Sequence, residues 1–395
     1  MNYDAVIAGT GFSGSVIART LADSIGANIL VLEKRAHIAG NMYDRINENG
    51  VRVQLYGPHT VITDKEWIID FIKQYSQWES NDVTAKVEID GRLYTLPFNY
   101  PFIREYYGQE YGEQLISRLK DHFGNRERIT VYELLDCTDE DIRNFGEMLC
   151  QKDYFPYSSK QWGIPMEKMD KSVISRVKFA LSDDNRYIQQ KYQYTPVNGY
   201  TDFFEHILDS GRITVRKNTD ALKYIEFDEE KKKVLFHWEG RKMICPVIFT
   251  GPIDELFSSR FGSLPYRTLD IRFKTFFTDS YQDVPFISYP QADGYTRIVE
   301  YKKLTNQTVP GSTTISIEYP ENYIPGKNEP YYPVINEPNS GLYQQYRTLA
   351  DGYSNLFVCG RLGDYKYYNM DAAIERALQV EKEIEKYILN QKQGD

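Results

Sequence analysis

The 395-residue sequence has only four cysteines, and Cys137, Cys150, Cys245 and Cys359 stand far apart, with no C-x-x-C and no paired Cys/His spacing. That excludes a disulfide framework and a zinc site, so no metal is expected and the cysteines read as reduced packing residues. Basic charge is also lacking: 47 Lys and Arg against 56 Asp and Glu leave a net charge of -9, which gives no footprint for general nucleic-acid binding. Any phosphate work must fall to local arginines. No apolar run approaches the roughly 18 residues of a membrane span. The first strand pattern starts at Tyr3, leaving no room for a cleaved signal peptide, so a cytoplasmic location is expected. Internal repeats and low-complexity linkers are missing as well. What is plentiful is tyrosine, at 33 residues. Its flat ring with a hydroxyl tip suits nucleotide and sugar binding, although codon bias explains the abundance equally well.

The most informative stretch is Ala5-Val6-Ile7-Ala8-Gly9-Thr10-Gly11-Phe12-Ser13-Gly14, an apolar run that breaks into G-x-G-x-x-G and continues as a helix. Gly9 permits the tight turn, Gly11 lets backbone approach a pyrophosphate, and Gly14 lets helix pack on sheet. Unpaired N–H groups and the positive dipole end then face the diphosphate. A second strand, Asn28-Ile29-Leu30-Val31-Leu32, ends at Glu33, 19 residues after Gly14, where an acidic ribose ligand is expected. Lys34-Arg35 and Gly40-Asn41 follow, a continuation more typical of FAD proteins than of simple NAD dehydrogenases. The bland alternative is a βα turn with no ligand.

Along the chain, Tyr56-Gly57-Pro58-His59 is a turn that sets a histidine near the cleft, with either a structural or a catalytic role. A helix is expected near Trp67 to Tyr75 on Trp67, Ile68, Phe71 and Ile72, followed by a hairpin with a type I′ signal at Asp90-Gly91. From Pro101 to about Leu181 the pattern is helical, with Thr138 and Asp141 as a capping box for a helix bearing Ile142, Phe145, Met148 and Leu149. Residues Tyr154 to Gly163 read as a loop because of Pro156, the serines and the glycine. Arg176 falls on a helix with an apolar face of Val173, Ile174, Val177 and Leu181. Buried strands recur at Val247-Ile248-Phe249 and Leu356-Phe357-Val358, and alternating strands at Leu269 to Phe277, Tyr295 to Lys302 and Thr313 to Tyr319. The expected architecture is α/β: a discontinuous Rossmann-like FAD-binding domain (1–80, 190–268, 340–395), an inserted helical bundle with a mobile substrate loop (100–189), and an antiparallel β-sheet domain (81–99, 269–339).

Taken together, these stretches resemble the bacterial-type UDP-galactopyranose mutase family from end to end. Further matches are Leu96-Pro97-Phe98-Asn99, Lys160-Gln161-Trp162-Gly163, Thr250-Gly251-Pro252-Ile253-Asp254, Leu264-Pro265-Tyr266-Arg267, Tyr295-Thr296-Arg297-Ile298, Glu318-Tyr319-Pro320, Glu329-Pro330-Tyr331-Tyr332-Pro333 and Gly360-Arg361-Leu362-Gly363. The resemblance implies a flavoprotein isomerase in which N5 of reduced FAD attacks the anomeric carbon, UDP leaves, and the adduct opens and recloses as the other ring form without net redox. It implies that Arg176 and Arg297 clamp the diphosphate, and that Tyr157 and Trp162 stack on the nucleotide with Phe155 beside them or in the core. Tyr187, Tyr319 and Tyr367 would bond the phosphates. On the cofactor side it implies Gly9, Gly11, Phe12, Ser13, Gly14, Glu33, Lys34, Gly40, Asn41, His59, Gly360, Arg361, Met370 and Asp371, with a helix starting near Met370 aimed at the flavin. A nucleotide-sugar substrate (a UDP-linked hexose), a reductant such as NAD(P)H and a homodimer follow from the same likeness.

Two positions depart from the family pattern. Asn369 stands where an aspartate is usual, and Ile62 where a second histidine is usual. The charge at the first is therefore lost and either the sugar or the rate differs. Three alternatives stay open: the same chemistry on dTDP-fucopyranose, UDP-arabinopyranose or UDP-N-acetylgalactosamine; an amine-oxidase-like FAD oxidoreductase; and a nucleotide-sugar binder without catalysis.

Overall fold

The apolar runs Ala5–Ala8 and Ile29–Leu32 are buried at every position, the pattern of strands covered on both faces. In the computed structural model, which describes residues 3–169, 171–175 and 177–394, they lie in a five-stranded parallel sheet. Its order is Ile213–Arg216, Ile29–Leu32, Ala5–Ala8, Val247–Phe249, Leu356–Val358. Strand alternation divides the core. Ala5, Ile7, Ile29, Val31 and Ile248 face one apolar cluster, whereas Val6, Ala8, Leu30, Leu32, Val247 and Phe249 face another. On the first face, helix Phe12–Ser24 packs against the terminal helix Met370–Gly394 through Val16, Ile17 and Leu21 on one side and Ile374, Ala377, Val380 and Ile384 on the other. Each such aliphatic side chain contributes about 1.5–3 kcal/mol by leaving water.

A seven-stranded sheet forms the second layer, ordered Tyr332–Pro333, Tyr266–Phe276, Thr313–Asn322, Arg297–Glu300, Phe286–Ser288, Ala85–Ile89, Arg92–Leu96. The hairpin turns as its sequence predicts, with Asp90 at φ 52° and Gly91 at φ 77°. One pairing departs from the expected antiparallel arrangement: Phe286–Ser288 runs parallel to Ala85–Ile89. No turn joins these strands, so nothing forces the reversed direction.

The helical segment shares its core with this sheet, Phe102, Ile116 and Phe145 clustering with Val87, Phe286 and Val299. Three local expectations change here. Helix Glu140–Leu149 is capped by Asp139, whose Oδ1 accepts from the N–H groups of Asp141 at 3.0 Å and Ile142 at 3.3 Å, instead of by Thr138. A carboxylate placed one residue later satisfies two orphan donors and also meets the positive dipole end. Residues 154–163 form no loop: a π-helical turn Cys150–Tyr154 runs into helix Phe155–Trp162, with Pro156 in its first turn, where a missing N–H costs nothing, and Gly163 in the left-handed region at its end. The helix expected around Arg176 stops at Ile174, and Lys178–Ala180 is a strand paired with Arg128–Thr130. Val177 is accordingly exposed. Near the N-terminal sheet, helix Glu66–Lys73 buries Ile68, Ile69 and Ile72 and leaves Trp67 outside.

Candidate active site

A long cleft opens where the strands Ala5–Ala8, Val247–Phe249 and Leu356–Val358 end, enclosing about 1330 Å³ of open space. Its lining includes Gly9, Gly11, Phe12 and Ser13, then Glu33, Lys34, Gly40 and Asn41, and across from them Gly360, Arg361, Asn369 and Met370. That space is partly open to solvent, and the lining joins the glycine turn to Asn369 and Met370. The glycines are needed for different reasons. Gly9 has φ +107° and a Cβ there would meet Thr250 Oγ1 at 2.3 Å, while a Cβ on Gly14 would meet the Gly9 carbonyl oxygen at 2.0 Å. Gly11 is the N-cap of helix Phe12–Ser24 with no capping side chain and no acid in the first turn, which leaves the helix N-terminus open toward the cleft as an anion cradle.

Glu33 is buried and ties the loop together. Its Oε2 accepts from the Thr10 N–H at 3.1 Å and the Thr10 hydroxyl at 2.5 Å, and its Oε1 accepts from the Arg35 N–H at 2.9 Å. Arg35 donates to Asn41 Oδ1 at 3.0 Å and to Glu329 Oε2 at 2.6 Å, and Lys34 reaches Glu329 at 3.5 Å. Glu329, Pro330 and Tyr331 therefore form part of the cleft wall, a contribution that no sequence motif for dinucleotide binding signals. Met370 opens the terminal helix, whose Ala373 N–H donates to the Asn369 carbonyl at 3.0 Å. Asp371, expected at the cofactor, accepts at its Oδ1 from the Ala372 N–H at 2.7 Å, and like His59 it is not among the residues that line the cleft.

Beyond this end lies a cluster of arginine and tyrosine. Arg361 donates from Nε and Nη2 to the Tyr368 carbonyl at 3.2 and 2.6 Å and lies beside the rings of Tyr332 and Tyr367, 5.2 and 5.4 Å from their centroids. Those two rings stack at 5.6 Å. Arg297 donates from Nε and Nη2 to Glu318 Oε2 at 3.0 and 2.7 Å, which leaves its Nη1 outside that grip. Burial opposes the charge on Arg297, but Glu318, with Tyr157 and Tyr187 adding, outweighs it and holds the guanidinium firmly protonated. Burial likewise pushes up the phenols of Tyr157 and Tyr332. His59 lies within electrostatic reach of both arginines. Burial first, then Arg361 and Arg297, depress its imidazole to about 3, against a weaker opposing hydrogen bond to the Gly57 backbone.

Not every expected residue joins this cluster. Arg176 lies outside the described residues. Phe155 packs on the bundle core. Tyr319 follows Glu318 on one strand, and alternation sends it to the opposite face, where its ring meets Arg272 at 4.0 Å and Tyr295 at 5.9 Å. Tyr332, next to last in the Glu329-to-Pro333 motif, occupies the face where Tyr319 was expected. A period-2 reading of Thr313–Asn322 would have exchanged Tyr319 for Glu318.

A parallel sheet with an uncapped glycine turn under a long cleft defines a dinucleotide-binding protein of Rossmann type, here joined to a cluster of arginine and tyrosine that includes Arg297 of the second sheet. Residues 7–75 match the NAD(P)-binding Rossmann-like domain, and residues 153–367 match the family UDP-galactopyranose mutase. UDP-galactopyranose mutase of Mycoplasma pneumoniae is 33% identical over 95% of this chain and 94% of its own. dTDP-fucopyranose mutase of Escherichia coli is 30% identical over 98% and 99%. A crystal structure of reduced UDP-galactopyranose mutase superposes with a TM-score of 0.69 at 17% identity, covering 98% of this chain and 94% of that one, which speaks to the fold. The chain belongs to the UDP-galactopyranose mutase family and is an enzyme of the isomerase class.

Proposed function

We propose that this chain binds FAD in the cleft and interconverts UDP-galactopyranose and UDP-galactofuranose with the flavin reduced and no net redox change. The observation that carries the reading is Arg297, partly buried and held by Glu318 with Tyr157 and Tyr187 nearby, and within electrostatic reach of His59, which also feels Arg361 of the cleft wall. The residues fit a flavin dinucleotide: an uncapped helix N-terminus and close-approach glycines for the diphosphate, Glu33 for a ribose, Met370 and the terminal helix at the far end. When bound and reduced, the flavin supplies the nucleophile for the anomeric carbon. The protein's own part is to bind and neutralise a leaving diphosphate, for which a guanidinium already partly desolvated and oriented by Glu318 is suited. Arg176 is assigned as the second clamp residue, Tyr157, Trp162, Tyr187 and Tyr367 as nucleotide and phosphate contacts, and Tyr332 joins them. Neutral His59 can donate or accept a hydrogen bond beside the reacting sugar.

A cytoplasmic homodimer reduced by NAD(P)H completes this reading. A second substrate, a dTDP-linked 6-deoxy sugar, is favoured by Asn369, which offers an amide where the family pattern offers a charge, and by the dTDP-fucopyranose mutase relative. An uncharged amine gives the Arg297 guanidinium no anion to bind. Chromatography of dithionite-reduced protein incubated with UDP-galactofuranose, beside an oxidised control, tests the proposal. UDP-galactopyranose forming only in the reduced sample is the expected result, whereas conversion of dTDP-fucofuranose alone would move the assignment to the 6-deoxy sugar.

A further inference from the structure

Helix Phe155–Trp162 carries Tyr157 and Trp162, yet none of its residues is fully buried, so it has little core packing of its own to hold it. What fastens it is polar. Lys160 Nζ donates to the carbonyl oxygens of Tyr289, Ala292 and Tyr295, each at 2.7 Å. An ammonium has three N–H bonds and no acceptor, and here three main-chain carbonyls receive all three. Those carbonyls belong to the turn between strands Phe286–Ser288 and Arg297–Glu300, so the last of them is two residues before Arg297. The turn is itself closed by the Tyr289 N–H donating to the Thr296 carbonyl at 2.9 Å. At the helix C-terminus, buried Arg267 donates to the carbonyls of Gln161 at 2.9 Å and Lys160 at 3.1 Å and also bonds Asn322. These last-turn carbonyls lack helical partners, and a cation at that end opposes the dipole. Gly163 makes room, since a Cβ there would meet Arg267 Nη1 at 2.6 Å.

We infer that Lys160 is a positioning residue that couples the Tyr157 and Trp162 helix to the Arg297 hairpin, so that the aromatic and the cationic sides of the nucleotide site form and loosen together. The coupling itself stands on the geometry, and only its consequence for substrate rests on the mutase reading. Without the ammonium, three buried-edge carbonyls lose charge-assisted bonds at once, and the helix is left with its Arg267 end alone.

Amide hydrogen exchange on the ligand-free protein decides the point. In Lys160→Met, residues 155–163 and 289–295 are expected to exchange about tenfold faster together, with the strands Ala5–Ala8 and Ile29–Leu32 unchanged, which also certifies folding. Lys160→Arg, which keeps the charge and several donors, is expected to restore part of the protection in both segments. Exchange that stays at the parent rate, or that rises in one segment only, overturns the coupling. The second arm uses UDP as probe: about tenfold faster dissociation from Lys160→Met, with a raised KM and a smaller change in kcat, supports it, and parent-like dissociation overturns its role in the site. Failure of the parent protein to bind UDP would count against the mutase reading alone, because the exchange arm needs no ligand.

Discussion

At the scale of single residues, alternation along one strand separates Glu318, which holds Arg297, from its neighbour Tyr319, which meets Arg272 on the other face. Tyr332, stacked on Tyr367 beside Arg361, lies on the side of the site that Tyr319 does not reach. Tyr332→Phe is therefore expected to raise KM for the nucleotide sugar roughly tenfold, the loss of one hydrogen bond to a charged group, while Tyr319→Phe stays within about twofold of the parent. Steady-state kinetics with both variants checks this, and equal effects would return Tyr319 to the site. His59 gives a pH signature. Its folded pKa is depressed to about 3, so below the ordinary value of about 6.5 the unfolded chain takes up a proton that the folded chain refuses. Stability is full above that value and falls as pH drops toward 3. In denaturant melts, the stability of the parent relative to His59→Asn is expected to decline steadily on acidification through this window; parallel profiles would show that the imidazole is not buried as described.

Among the elements, those whose ends are punctuated by local chemistry were readable, and those fastened from a distance were not. The glycine turn, the Asp90-Gly91 hairpin and the apolar parallel strands rest on φ > 0 and alternation, which neighbouring residues dictate. Helix Phe155–Trp162 reads as a loop because its proline and serines are poor helix formers, while the groups that hold it, Arg267 and the carbonyls of 289–295, lie more than one hundred residues away. Asn99 is an end of the first kind with an added tertiary tie. Its Oδ1 accepts from the Phe102 N–H at 3.1 Å, and its amide donates to the Asp184 carbonyl and Asn185 Oδ1, both at 2.9 Å. Asn99→Ala removes a cap and leaves the part-buried Asp184 carbonyl without that donor. A loss of about 2–3 kcal/mol in urea unfolding is expected, and a loss under about 0.5 kcal/mol would mean that water replaces the amide.

For the whole molecule, the interleaving of the chain matters most. The five parallel strands come from residues 5–8, 29–32, 213–216, 247–249 and 356–358, so no early stretch of sequence can complete the sheet that bears the glycine turn. Helix Met370–Gly394 then covers Val16, Ile17 and Leu21. A chain ending at residue 369 would expose that face and lose the helix N-terminus at the cleft. It is expected to show no cooperative thermal transition by circular dichroism, because losing several buried aliphatic side chains at about 1.5–3 kcal/mol each exceeds typical domain stability of about 5–15 kcal/mol once the helix's own contacts are also gone. A retained sharp transition would show that the first helix can be covered some other way.

The sequence by itself determined the dinucleotide turn, the acidic end of the second strand, the parallel sheet and the family, because each rests on residues whose conformation or charge is fixed by near neighbours or by ordered motifs. Tertiary structure alone decided which tyrosine faces Arg297, which carboxylate holds that arginine, how Glu329 closes the cleft beside Lys34 and Arg35, and what fastens the Trp162 helix. These are contacts between strands and turns distant in the chain, and a side chain's partner across a sheet depends on register and face, which no local pattern carries.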